Sequence, residues 1–202
     1  MTHEYILEVQ VKNTPIIKKK CNRCGNSRFY CSDKFRMNAQ KKSLDIWLIY
    51  KCSACDSTYN ATILSRTKPE NINKDLLTMF MENDIRTAWK YAFSIELAKI
   101  NHMEVDYTSV QYDLITDAPS MAKLLTYSSD QVVLKIQYPI DFNLKVATLI
   151  KKALNLSTNQ LTKLIDDGMF TIDSKLLQKK DKARNGQLVK INMQMVRALS
   201  NM

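Results

Sequence analysis

Four cysteines are the residues most able to do chemistry in this chain. They stand as two C-x-x-C pairs, Cys21/Cys24 in CNRCGN and Cys52/Cys55 in CSACDS, with 27 residues between the pairs. Two such pairs fit the four-thiolate zinc pattern, because two intervening residues let a tight turn aim both sulfurs and nearby backbone N–H groups at one ion. Gly25, directly after Cys24, suits the left-handed conformation that such a turn needs. Four thiolates close the coordination shell, so the expected role is structural; a catalytic zinc keeps a position open for water or substrate. Disulfides need export, and a thioredoxin-like motif needs a single C-x-x-C opening a helix. Cys21, Cys24, Cys52 and Cys55 are thus the expected ligands of a structural Zn2+. Cys31 is left over, and its strand parity with Phe29 and Phe35 points it inward as a small hydrophobe.

The elements that must position these sulfurs lie between the pairs. Phe29–Met37 and Leu44–Lys51 read as strands, the second aromatic and β-branched, with 38–43 as the connection. Such a hairpin brings the second knuckle beside the first, the arrangement of a zinc ribbon. A core this small takes much of its stability from the metal.

The rest of the composition bounds the function. Hydrophobic residues are 45% and charged residues 25%, as in an ordinary globular protein. Residues 1–10 lack a basic region followed by an apolar run, so no secretory signal is expected. No apolar run approaches the roughly 18 residues of a membrane span, so a cytoplasmic protein without a membrane partner is expected. Net charge is +10, unevenly spread. Residues 1–68 hold 13 Lys/Arg against 5 Asp/Glu, 69–140 hold 6 against 10, and 141–202 hold 11 against 5. Two basic ends flank an acidic middle. Basic surface favours polyanions, nucleic acid above all, although a merely solvated basic surface is the plain alternative. With 3 Gly and 2 His in the whole chain, nucleotide-loop and His-based chemistry have little support. His3 and His102 lie far from the cysteines and read as surface residues.

In the middle, Asn73 is placed to cap a helix through about Met81. Asp84 is placed to start a second through about Ile100, with Trp89, Phe93, Leu97 and Ile100 as its apolar stripe. Val105–Ile115 and Gln131–Tyr138 look like strands or irregular packing segments. Towards the C-terminus, Val146, Leu149, Ile150, Ala153 and Leu154 share one helical face. Ser157 and Gln160 then form a capping box for a helix that buries Leu161, Leu164 and Ile165 and stops at Gly168. Met169–Ile172 and Lys175–Gln178 flank Asp173-Ser174 as a short hairpin. Lys179, Lys180, Lys182 and Arg184 follow, then Gly186 and the alternating LVKIN.

Two resemblances follow from these residues. The stretch 156–191 resembles the small RNA-binding module named after small-subunit ribosomal protein S-four. Leu156, Ser157, Leu164, Ile165, Gly168 and Gly186 fit that module's pattern. Thr158 replaces its usual Arg, Asp173-Ser174 its Asn-Gly turn, and Gln187 its Asp; losing the Arg removes a phosphate contact. Separately, CNRCG with KFRMNAQKKSLDIWLIYKCSACDSTYNATILSR is similar to the bacterial family called domain of unknown function 1062. Asn38, Ala39, Lys42, Asp45, Trp47 and Leu48 occupy matching positions, and Lys41 stands where a Gly or other small turn residue is common. This likeness implies the zinc ribbon and brings no activity with it.

The expected architecture is α+β: a small zinc ribbon β-hairpin domain over 1–68, an α/β middle region over 69–140, and an S-four-like helix-helix-hairpin module over 141–202. The expected function is a non-enzymatic protein that binds structured RNA or ribosomal particles. Thr158, Asn159, Gln160 and Lys163 would meet phosphates at a helix N-terminus. Lys175, Lys179, Lys180, Lys182 and Arg184 would add longer-range attraction. The alternatives are a DNA-binding transcription regulator, combining the ribbon with a helix-turn-helix, and a protein-interaction scaffold.

Overall fold

The structure, a computed structural model, describes residues 2–200, the side chains of 199 and 200 excepted. It is α+β, with two sheets and seven α-helices among the described residues. The chain divides into two compact units. One comprises 12–111 and the other 1–11 together with 112–202. The first is therefore an insertion in the second. Residues 69–111 of the acidic middle fall in the inserted unit and 112–140 in the other, and residues 1–11 leave the cysteine-bearing segment for the second unit.

In the inserted unit, five strands lie in the order β5-β4-β3-β2-β6. They are β2 (Ile16–Lys18), β3 (Arg28–Gln40), β4 (Ser43–Cys52), β5 (Thr58–Thr67) and β6 (Glu104–Asp106). The expected hairpin exists, but its strands are longer and its turn shorter than the sequence suggests. Asn38, Ala39 and Gln40 still pair, with Asp45, Leu44 and Ser43, which leaves Lys41 and Lys42 as the connection. Lys41 takes φ +55°, the left-handed conformation that glycine adopts most readily. Inside β3 a bulge sets Ser32, Asp33 and Lys34 against the single residue Ile49. Since Cys31 and Phe35 still share parity across it, both remain buried.

One sheet face is covered by α1 (Lys74–Glu82), α2 (Ile85–Ala92) and α3 (Ile95–Ile100). Phe80, Ala88, Ala92 and Leu97 pack there with Phe35, Ile46, Leu48, Tyr50 and Ala61. Asn73 caps α1 as expected. The single helix expected over 84–100 is two. Phe93 closes α2, and the Ser94 side chain caps α3 by accepting from the Leu97 N–H. Ser is a strong N-cap, and the break ends the continuous stripe: Phe93 and Leu97 are buried while Ile100 is 64% exposed. The helices are pinned to the bulge by polar bonds. Trp89 Nε1 donates to Asp33 at 3.1 Å, and Phe35 N–H donates to the Asn83 side chain at 2.8 Å.

The second unit holds a six-stranded sheet of order β10-β9-β11-β8-β1-β7. The strands are β1 (Thr2–Val11), β7 (Tyr112–Thr116), β8 (Gln131–Gln137), β9 (Phe170–Ile172), β10 (Lys175–Leu176) and β11 (Leu188–Asn192). Only β1 and β8 run parallel. The insertion departs at Val11 and returns at Tyr112, which are direct partners across β1 and β7. The helices are α4 (Met121–Leu124), α5 (Val146–Ala153), α6 (Thr158–Asp166) and α7 (Met193–Ser200). Val146, Leu149, Ile150, Ala153 and Leu154 are all buried. The Ser157/Gln160 capping box forms with both of its bonds. At the β9–β10 turn Asp173 and Ser174 both take positive φ, +48° and +64°, as a two-residue primed hairpin turn requires.

Candidate metal centre

The four sulfurs meet where two hairpin turns face each other. The β2–β3 turn carries Cys21 and Cys24, and the β4–β5 turn carries Cys52 and Cys55. The two turns repeat one backbone pattern. Cys21 N–H donates to Asn26 O and Gly25 N–H returns to Cys21 O, at 2.7 and 2.9 Å. In the same way Cys52 N–H donates to Ser57 O and Asp56 N–H returns to Cys52 O, at 2.9 and 3.0 Å. Gly25 has φ +76° and its counterpart Asp56 φ +56°, a conformation that Asp tolerates better than most non-glycine residues.

Cys21 Sγ and Cys55 Sγ are 3.6 Å apart, as are Cys24 Sγ and Cys52 Sγ. All four lie within 4.8 Å of one another. A tetrahedron with metal–sulfur bonds of about 2.3 Å has edges of about 3.8 Å, so the cluster has the size a four-coordinate ion needs. The sulfurs sit too far apart for S–S bonds, which are about 2.05 Å.

Local dipoles favour negative charge here. The Cys24 N–H, opposed by desolvation and helped by the Arg23 N–H, lowers the Cys21 pKa. Desolvation works against the Cys52 thiolate, yet the N–H groups of Ala54 and Cys55, the Asn26 amide and the Cys24 thiol outweigh it and bring Cys52 to about 6. Cys24 moves the other way. The Asn26 N–H favours its thiolate, but the Cys55 thiol, desolvation, and the Cys52 and Cys21 thiols raise it to about 12. Cys21 and Cys52 are thus drawn toward the thiolate and Cys24 toward the thiol, as when like charges crowd one point. A cation placed among the sulfurs fits the donor set: soft thiols with N–H groups behind them.

Asn26 also ties the two turns together, a role not recognised from sequence. Its Nδ2 donates to Ser53 Oγ at 2.8 Å and lies 3.6 Å from Cys52 Sγ, and Ser53 N–H donates to Arg28 O at 2.9 Å. The repeated frame of Cys-x-x-Cys followed by Gly-Asn or Asp-Ser was the available signal. Cys31 stands apart in the core at 7% exposure, its pKa pushed up to about 12 by burial.

The residues expected to meet nucleic acid occupy separate places on the second unit. Lys175, Lys180, Lys182 and Arg184 line one open groove of about 610 Å³. Two carboxylates share it but are engaged: Asp173 accepts from Gln187 Nε2 at 3.1 Å, and Asp181 from Gln178 N–H at 2.8 Å. Lys179 instead pairs with Asp166 of α6 at 2.9 Å. At the start of α6, Thr158 Oγ1 accepts from Lys151 Nζ at 2.7 Å and Gln160 Oε1 takes the Ser157 N–H. Asn159 is exposed beside them. Gln160 and Lys163 rim a different hollow of about 320 Å³, walled mainly by Leu125, Leu154, Leu156 and Leu164.

Residues 37–176, more than half of the chain, match the model of a protein family described as "Protein of unknown function (DUF1062)". That span takes in Cys52 and Cys55 and starts after Cys21 and Cys24. No curated protein and no solved structure matches the chain.

Proposed function

We propose, from the premise that the chain belongs to the DUF1062 family, that it is a non-enzymatic cytoplasmic protein that binds structured RNA or ribosomal particles. The groove of Lys175, Lys180, Lys182 and Arg184 carries the proposal. Four cations converge on one open surface, and both nearby carboxylates are held in internal hydrogen bonds. Such a groove grips phosphates and tolerates many sequences, which is how structured RNA is commonly held. The run of α5, α6, the β9–β10 hairpin and β11 has the element order of an S-four-like module. The free N–H groups at the start of α6, beside Thr158 and Asn159, offer a second phosphate contact.

In this reading Cys21, Cys24, Cys52 and Cys55 hold Zn2+ in a closed shell and the hairpins around it form a zinc ribbon. When bound, the ion supplies the positive charge that lets four thiolates coexist. Its part is to lock the two turns together, leaving partner binding to the protein surface.

Anisotropy titrations of a labelled RNA hairpin test the binding. Affinity should fall steeply between about 50 and 200 mM salt, with a log–log slope of about −0.7 to −0.9 per phosphate contacted. The triple change Lys180→Glu, Lys182→Glu and Arg184→Glu should flatten that slope by two to three contacts' worth. Salt-insensitive binding, or an unchanged slope in the triple variant, overturns the assignment. Duplex DNA binding more tightly than the hairpin would favour a DNA-binding regulator instead.

A further inference from the structure

The five-stranded sheet of the inserted unit carries its helices on one face. Phe29, Cys31, Phe35, Leu48 and Tyr50 point into that core, together with Phe80, Ala88 and Leu97 of the helices. Side chains alternate along a strand, so the residues between them on β3 and β4 face outward. Direct pairing places these: Tyr30 stands opposite Lys51, and Arg36 opposite Trp47. Along β4 the outer face reads Trp47, Ile49, Lys51, and their partners on β5 are Thr62, Asn60 and Thr58. Tyr30, Trp47 and Ile49 lie outside the core cluster.

An aromatic ring and a cation therefore stand side by side at each end of a strip floored by Ile49. Tyr30 is 39% exposed, Arg36 is exposed, and Trp47, Ile49 and Lys51 are half-buried. Four residues separate Trp47 from Lys51, which sets the two pairs about 13 Å apart along the strands. The indole N–H of Trp47 is not buried and has no hydrogen-bond partner among the described residues. The carboxylates of this face are engaged. Asp45 accepts from the Arg66 N–H at 2.8 Å, and Asp56 from the Tyr30 hydroxyl at 2.9 Å. Glu104 pairs with Lys18 at 2.7 Å and Asp106 with Arg28 at 3.7 Å. Arg36 and Lys51 are in no ion pair among the described residues.

We propose that this outer face binds single-stranded RNA, with bases stacked on Trp47 and Tyr30 and the backbone phosphates held by Arg36 and Lys51. Charge selects the class of partner: the cations left free beside the rings match a polyanion. The rings select its unpaired form. Aromatic side chains are stacking platforms for bases of any sequence, and the bases of a duplex are already stacked on one another. Thr58 and Thr62 flank the strip on β5, and neither hydroxyl is hydrogen-bonded among the described residues. They are partners for the 2′-hydroxyl, the group by which a protein tells RNA from DNA.

The strip sets the footprint. Two platforms about 13 Å apart, each with one cation, suit a short segment at the lower end of the roughly 4–16 nucleotides that such surfaces hold. Two stacked bases and two phosphate contacts make a site of modest, salt-dependent affinity. The face belongs to the unit of residues 12–111, and the groove of Lys175, Lys180, Lys182 and Arg184 to the other. It holds or fails independently of the function proposed for that groove.

Titrating the full chain with a single-stranded uridylate decamer at about 50 mM salt, read by tryptophan fluorescence, tests the proposal. Stacking should quench the emission as the strand binds. Trp47→Phe should abolish the quenching, which assigns it to Trp47 and not to Trp89. Tyr30→Ala should weaken binding by about 5- to 150-fold, the loss of one stacked base. Arg36→Glu should weaken it too and lower the salt slope by about one phosphate contact. That position is exposed, so the test stays clear if a change at a ring impairs folding. Lys180→Glu, Lys182→Glu and Arg184→Glu together should leave the quenching as it is. Absence of quenching overturns the proposal, as does quenching that survives Trp47→Phe. So does an affinity unchanged by both Tyr30→Ala and Arg36→Glu, or a deoxy decamer or an RNA duplex that quenches as strongly.

Discussion

The two units, both built on apolar cores, place their candidate sites differently. In residues 12–111 the turns between β2 and β3 and between β4 and β5 bring four sulfurs within 4.8 Å of one another, and the bulge in β3 is held by polar bonds to Trp89 and Asn83. In residues 1–11 and 112–202 the sheet is held by apolar packing and ordinary helix caps, with the chemistry-bearing cations left on the outside. The candidate site of the inserted unit is therefore part of its fold, whereas the candidate site of the other unit rides on a finished one. Damage to the first should register as lost stability, and damage to the second as lost binding.

The largest test of that contrast is removal of the proposed zinc ion. A zinc chelator, or Cys52→Ser, should take away a substantial part of the roughly 10–16 kcal/mol that a structural zinc supplies. Hydrogen exchange should then show lost amide protection at 19–28 and 51–58, with β8 and β11 still protected. Equal loss in both units would break the comparison. Chelation should also expose Cys21, Cys24, Cys52 and Cys55 to an alkylating reagent ahead of Cys31, which is buried and has its pKa pushed up to about 12.

A core change should be costly in either unit. Phe80→Ala, which removes a ring 4.8 Å from Phe35 and 5.6 Å from Tyr91, should cost about 3–5 kcal/mol in chemical denaturation. Zinc content should be retained, since the cysteine turns lie at the far ends of the strands. Loss of zinc in that variant would show that the helices help to hold the turns.

Smaller effects separate polar fastening from packing. Asn101 clamps β5 by accepting from Thr62 N–H at 2.7 Å and donating to Thr62 O at 2.9 Å. Asn101→Ala should cost about 1–3 kcal/mol. Ser157→Ala, which breaks the capping box of α6, should cost about 1 kcal/mol by thermal melting. Lys182→Ala should fall within about 0.5 kcal/mol of the parent while still lowering the salt slope for RNA. If it melts far below the parent, the groove is structural and the contrast between the units fails.

The cysteine turns were legible because their chemistry is local. A C-x-x-C turn needs only six residues, and both turns are complete in sequence. Pairing them needed only the strands between. The capping box, the Gly168 helix stop and the Asp173-Ser174 turn were legible for the same reason: each is closed by hydrogen bonds over three to five residues. The helix over 84–100 misled because one apolar stripe spans a break that the Ser94 cap makes. Strand β1 went unrecognised because its alternation, Tyr5, Leu7 and Val9, gains meaning only beside β8.

By itself, then, the sequence determined the four sulfur donors, the hairpin that brings them close, the local caps and turns, and the basic character of the C-terminal third. Tertiary structure alone decided that residues 1–11 join 112–202, that Asn26 fastens the two turns, and that four of the expected cations share one groove while Lys179 is paired with Asp166. The physical reason is reach. Turns and caps are fixed by bonds between near neighbours, but strand partners and converging side chains depend on contacts between residues a hundred or more positions apart, as Leu7 and Ile136 are.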